Sequence, residues 1–198
     1  MINLVVEGPP DETIVRRVLD TAGLRPNLVI VAHGKPDLLK RLAAYNRAAR
    51  YFPWLCLVDL DSDPRCVPEF VHDCLPERHP NMLFRVAVRE IEAWLMADRQ
   101  RCAAFLQVGV DRVPLDPESL PDPKRTLVDL ARHSRSRDLV RDMVPRVGSG
   151  ASEGPAYVSR LQEFVTVAPS AWRPEVAEAN APSLRRCLTA LKTLVTAG

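Results

Sequence analysis

Apolar residues along the chain follow two rhythms, short unbroken runs and longer stretches at helical spacing. Ile2 to Val6 is an unbroken, β-branched run, the pattern of a strand buried on both faces. It stops at Glu7-Gly8-Pro9-Pro10. Asp11 then reads as the N-cap of a helix in which Ile14, Val15, Val18 and Leu19 share one face, closed by Gly23. Leu28 to Val31 is a second strand, followed by a helix from Asp37 to Arg50 with Leu38, Leu39, Leu42 and Tyr45 inward. Trp54 to Leu60 is a third strand, ending in Asp59-Leu60-Asp61, and Pro64 opens a short helix carrying Val67, Phe70, Val71 and Cys74. Met82 to Val88 is a fourth strand and leads into a helix across Glu90 to Met96. Strands alternating with helices predict a parallel sheet with right-handed crossovers.

Beyond residue 98 the strand rhythm fades. A proline-rich region (Pro114, Pro117, Pro121, Pro123) precedes a helix near Arg125 to Arg135. A Gly/Ser stretch at Gly148 to Gly154 reads as a flexible connector, and two further helices are predicted at Tyr157 to Val165 and Ser183 to Val195. The expected fold class is therefore α/β: a parallel four-stranded sheet flanked by helices over 1–98, with a helical C-terminal region over 99–198 packed on it.

Composition narrows the class without naming a function. The 198 residues are 46% hydrophobic and 26% charged, the balance of a soluble globular protein. The five cysteines form no C-x-x-C pair, which predicts free thiols in a reducing compartment. Cys56 and Cys187 sit in apolar runs and read as buried small hydrophobes. No apolar run reaches membrane-spanning length and no leader pattern precedes the first strand, so the expected location is cytoplasmic, with no membrane partner. A net charge of +2 does not by itself announce a polyanionic partner. Only Lys35, Lys40, Lys124 and Lys192 are lysines. Arginine suits bidentate phosphate contacts, but genome base composition explains such an excess equally well.

The chemistry-bearing residues lie where strands end. Ligands of open parallel sheets collect at the carboxyl ends of strands. Glu7 ends the first strand, and Asp59 and Asp61 end the third. If those strands are neighbours, three carboxylates converge. Two-residue spacing in extended backbone would put Asp59 and Asp61 on one face. Like charges held together are best tolerated around a hard cation, and an all-oxygen ligand set suits Mg²⁺ or Mn²⁺. A lone D-x-D is more often a solvated loop, and it is the pairing of two acidic strand ends that favours metal. Asp11 serves equally as a cap or a ligand. Glu90 and Glu92 open the helix after the fourth strand, where acids complement the helix dipole. Being two apart on a helix, at most one of them should point inward.

At these residues the chain resembles the Toprim superfamily. Val5-Val6-Glu7-Gly8-Pro9-Pro10-Asp11 is similar to its first motif, a strand ending in Glu-Gly with an acid a few residues on. Leu57-Val58-Asp59-Leu60-Asp61 is similar to its D-x-D motif. The run from Glu90 to Asp98, E-I-E-A-W-L-x-A-D, resembles the signature of a small bacterial Toprim-like family. Asp122-Pro123-Lys124, Gly154-Pro155-Ala156-Tyr157 and Ser183-Leu184-Arg185-Arg186 are similar to its later landmarks. The resemblance implies phosphodiester chemistry on nucleic acid with Mg²⁺ or Mn²⁺. It makes Glu7, Asp59 and Asp61 metal ligands or acid/base residues. Similarity to the overcoming-lysogenisation-defect nucleases implies that Asp11 joins the metal shell. It also suggests phage defence or DNA maintenance as a setting.

From this follows the expectation of a metal-dependent nuclease. In it Glu7 is general base or bridging ligand, Asp59 and Asp61 are ligands, Glu92 and Glu90 complete a second metal, and Lys124 neutralises phosphate charge. The alternative is a non-catalytic Toprim-like nucleic-acid-binding or effector module working with a separately encoded ATPase. Other classes find less support. Topoisomerase-type enzymes need a tyrosine from another domain, and Tyr45, Tyr51 and Tyr157 have none recognisable around them. No P-loop pattern is present. A phosphoacceptor receiver domain would need a fifth strand ending in lysine. The basic stretch Arg125, Arg132, Arg135, Arg137, Arg141 and Arg146 reads as a solvated face more readily than as a nucleic-acid track, since acids dilute it.

Overall fold

The computed structural model describes residues 1–167 and 171–196. The order of elements is β1 (Ile2–Val6), α1 (Pro9–Thr21), β2 (Pro26–Val31), α2 (Lys35–Ala48), β3 (Trp54–Asp59), α3 (Val67–Cys74) and β4 (Met82–Ala87). Then come α4 (Glu92–Ala97), α5 (Arg99–Leu106), α6 (Pro123–Arg132), α7 (Arg137–Met143), α8 (Tyr157–Thr166), α9 (Pro174–Ala177) and α10 (Pro182–Thr196). The chain divides into two compact units. The first is Met1–Val88 together with the chain from Ser183 onward, and the second is Arg89–Pro182. The last helix thus belongs with the sheet rather than with the helices that precede it in sequence.

The first unit is an α/β layer structure. Its four strands run in the order β2-β1-β3-β4, and every pairing is parallel. The apolar runs explain this. All five residues of β1 are buried and β3 is buried up to its last residue, as strands covered on both faces must be. One face carries Val5, Cys56, Val58, Phe84 and Val86 against Leu38, Leu42 and Tyr45 of α2 and Phe70 of α3. Tyr45 stacks on Trp54 with centroids 5.2 Å apart. By alternation Leu4, Val6, Leu55 and Leu57 turn to the other face. The chain leaves β1 for β2 on one side and returns past β1 to β3 on the other. Right-handed crossovers therefore put α1 and α2 on opposite faces. The sheet has its topological switch point between β1 and β3, where a crevice opens at the strand ends.

Some local expectations are corrected. The first helix begins at Pro9, not Asp11, because prolines at its first two positions are already preset for helical φ. Gly8 is the N-cap residue, and Asp11, three positions on, reaches back to accept a hydrogen bond from the Gly8 N–H at 2.9 Å. The helix after β3 opens at Val67 rather than Pro64. In the second unit α5 and α7 were not anticipated. All five cysteines are free, with Cys56, Cys102 and Cys187 buried. Burial pushes the Cys102 and Cys187 thiols up to about 12. Among the described residues no helix is long and apolar enough to cross a membrane.

Candidate functional site

In the first unit the sheet order makes β1 and β3 neighbours, so Glu7 and Asp59 leave the sheet side by side at the switch point. The Asp59 backbone N–H donates to Glu7 Oε1 at 2.8 Å, which fixes the carboxylate across the two strand ends. Burial raises the Glu7 carboxyl to about 7. The Asp59 N–H opposes this, Asp61 and Asp11 add to it by repulsion, and Lys35 opposes it. Glu7, Asp11, Asp61 and Lys35 are therefore close enough to feel one another. A carboxyl that titrates near neutrality can exchange a proton at working pH.

Asp61 does not continue the alternation of β3. The strand ends at Asp59, and Asp61 sits in left-handed backbone at φ 55°, a conformation that aspartate tolerates better than most residues. The expected common face for Asp59 and Asp61 is thus replaced by a sharp turn. That turn directs Asp61 to Lys35, whose Nζ donates to Asp61 Oδ2 at 3.0 Å and to the Leu60 carbonyl at 3.1 Å. Lys35 also lies 5.0 Å from the Phe70 ring centroid. Sequence reasoning missed Lys35. Its position on the first turn after the second strand, behind Gly34, was the available signal. Among the described residues no three His, Cys, Asp or Glu side chains are arranged as a metal-ion cage.

Glu90, Glu92 and Lys124 belong to the second unit, where they meet partners of their own. Glu90 Oε2 accepts from the Lys124 backbone N–H at 2.7 Å, supplying a carboxylate to the first turn of α6 as the helix dipole favours. Glu92 is 6% exposed, and the Tyr157 hydroxyl donates to its Oε1 at 3.0 Å. Burial, then repulsion from Glu90, raises the Glu92 carboxyl to about 7, with Lys124 and Tyr157 among the opposing influences. Lys124 Nζ pairs with Glu153 at 3.0 Å and lies 5.4 Å from the Tyr157 ring centroid. The group Glu90, Glu92, Lys124, Glu153 and Tyr157 is thus a connected polar centre. Tyr157 and Glu153 had no assigned role in the sequence reading.

The run from Glu90 to Asp98 is the hub of this second unit. Trp94 is fully buried, and its carbonyl accepts from the Trp172 indole N–H at 3.0 Å. Asp98, 1% exposed, receives Arg173 through two hydrogen bonds of 2.8 Å. Gly154 is not part of a flexible connector. A Cβ there would collide with the backbone of Asp142, Met143 and Val144, while Gly148 and Gly150, at φ 80° and 71°, face open space. Much of the basic stretch is internally paired. Arg141 bonds Asp138 at 2.7 Å and Asp142 at 2.9 Å, and Arg132 lies 3.6 Å from Asp129.

Compared with known proteins, the chain matches no family model, no curated protein and no solved structure.

Proposed function

We propose that the protein is a Toprim-like, divalent-cation-dependent phosphodiesterase acting on nucleic acid, with its working edge at Glu7, Asp11, Asp59 and Asp61. The observation that carries this reading is the half-buried Glu7, bridging the two central strand ends at the switch point and titrating near 7 among further acids. The donor set suits Mg²⁺ or Mn²⁺, being carboxylate oxygen throughout, and the repulsion on Glu7 is what a cation there relieves. When bound, the metal supplies Lewis-acid activation of water and charge neutralisation at the scissile phosphate.

The chain's own residues do the rest. Glu7, held by the Asp59 N–H, accepts a proton from the attacking water. Lys35 offers an ammonium to phosphate oxygens, exchanging part of its hold on Asp61. Gly8 leaves room for the phosphate: a Cβ there would meet only ordinary contacts within the chain, at 3.6 and 3.8 Å, so the fold itself does not demand glycine. Metal-dependent cleavage of labelled DNA and RNA by wild type, abolished in Asp59→Ala/Asp61→Ala, is the expected result. Equal cleavage by the double variant removes the proposal.

The second reading, a non-catalytic Toprim-like effector module with a separate ATPase, draws on a different observation. Glu7, Asp11 and Asp61 already have partners in the Asp59 N–H, the Gly8 N–H and Lys35. Such an edge binds without cutting if those contacts persist. Metal and nucleic-acid binding without cleavage of any substrate distinguishes it.

A further inference from the structure

Edge strand β4 carries an arginine in an otherwise apolar sequence, Met-Leu-Phe-Arg-Val-Ala. Met82, Phe84 and Val86 join the core beneath α2 and α3, so alternation turns Arg85 to the other face. There it feels Cys187 of α10, and Arg78 and Arg186 as repelling cations. A cleft of about 490 Å³ opens at this edge of the first unit, with Arg78, Arg85, Arg186, Ser183, Val71 and Phe84 in its wall and, among the described residues, no carboxylate. Among the described residues, none of the three arginines has an ion pair. The Arg85 Nε is buried without a hydrogen-bond partner, the sole such side-chain atom among those residues.

A charge on an edge strand guards against edge-to-edge pairing, but that role does not require three guanidinium groups gathered at one cleft. Arg85 as a whole is half-buried, but its Nε is withdrawn from water without an acceptor, and the charged groups around it are two more guanidinium groups. Burial and that repulsion both favour loss of the Arg85 proton, yet guanidinium holds its proton in proteins. The missing partner is an anion from outside. The wall has a second electropositive element, the start of the 15-residue α10. Its first turn brings Ser183, whose Oγ accepts from the Val88 N–H at 3.3 Å, and helix N-termini favour anions.

We propose that this cleft binds a small phosphate-bearing ligand of nucleotide size, its phosphate held by Arg78, Arg85 and Arg186 and its less polar part against Val71 and Phe84. Three guanidinium forks exceed what a two-oxygen carboxylate can accept and match a phosphate's three oxygens and higher charge. The volume falls within the ordinary range of small-ligand pockets, roughly 300–1,000 Å³. Arg85 is recessed rather than on a ridge, so a ligand must enter the cleft to reach it. The cleft shares no lining residue with the acids at the strand ends, and the proposal does not rest on the phosphodiesterase reading.

The test is calorimetric titration of the full chain with ADP and with inorganic pyrophosphate, in EDTA so that no divalent cation bridges to the acidic edge. Wild type and Asp59→Asn bind alike. Arg186→Met, on an exposed helical position, weakens binding about tenfold, the scale of one charge-assisted hydrogen bond. Arg85→Met abolishes binding, while its Tm without ligand equals or exceeds that of wild type, because an unpartnered buried Nε and the repulsion from Arg78 and Arg186 have gone. Four results each overturn the proposal. Neither compound binds at millimolar concentration; binding is unchanged in both variants; Arg85→Met lowers the ligand-free Tm, making Arg85 a structural residue; or a single-stranded oligonucleotide binds through Arg186 when neither small compound does.

Discussion

Replacing Glu92 by Gln should make the protein more stable, and only above a defined pH. The substitution keeps side-chain volume and leaves an oxygen to accept from the Tyr157 hydroxyl, so packing and that hydrogen bond survive. What disappears is a carboxyl that burial and Glu90 raise from 4.5 to about 7. Between those pH values the folded state holds a proton that the unfolded chain has released. Wild-type stability therefore falls as pH rises through the window. The glutamine variant has no such loss. The stability difference is near zero at pH 4, grows from about pH 4.5, and levels off above pH 7. The shift corresponds to about 3 kcal/mol in favour of Glu92→Gln. Urea unfolding from pH 4 to 8.5 measures it, in EDTA and in a Trp54→Phe background so that Trp94 and Trp172 report the second unit. A pH-independent difference refutes the reasoning. So does a variant less stable at pH 8, which would mean that Lys124 already compensates the ionised Glu92.

Three further outcomes follow from named contacts. Arg173→Ala leaves the buried Asp98 without a counter-charge, holding only the Arg101 N–H, and should cost about 3 kcal/mol, whereas Asp98→Ala frees a partly exposed arginine, loses that weak cap and costs less; unfolding free energies of both variants check the order. Gly154→Ala forces a methyl against the Asp142–Val144 backbone and should cost about 1–3 kcal/mol, while Gly8→Ala, in extended backbone with only ordinary contacts around its Cβ, meets no such collision, as thermal melts of the pair would show. Lys35→Met removes the cation that lowers the Glu7 carboxyl, so the Glu7 midpoint should move above about 7; carboxyl ¹³C titration by NMR reads it directly.

The sheet was legible because β1, β3 and β4 are buried over most of their length, and unbroken apolar runs such as Ile2–Val6 leave little choice of element; β2 is the half-exposed edge. Strand adjacency was not legible. Glu7 and Asp59 are 52 positions apart, and only the order β2-β1-β3-β4 brings them together. Asp11 was read as the N-cap residue because Asp is a strong cap residue, yet Pro9 and Pro10 start the helix earlier and leave Asp11 two residues inside it, capping the Gly8 N–H from there. α5 and α7 escaped notice because they are short and bury few large side chains, Cys102, Ala103 and Leu106 in one and Leu139 and Met143 in the other. Lys35, Tyr157 and Arg85 are visible in the sequence as residues but not as partners. Each acquires its role from a contact or cleft that only the tertiary fold creates.

Direct Mn²⁺ binding, read by electron paramagnetic resonance with Mg²⁺ in competition, goes to the centre of the matter. Wild type should bind Mn²⁺ at the strand-end acids and release it to Mg²⁺. Glu7→Gln combined with Asp59→Asn should lose that binding while keeping its fold by circular dichroism. Equal Mn²⁺ affinity in wild type and double variant would contradict a cation site at the ends of β1 and β3.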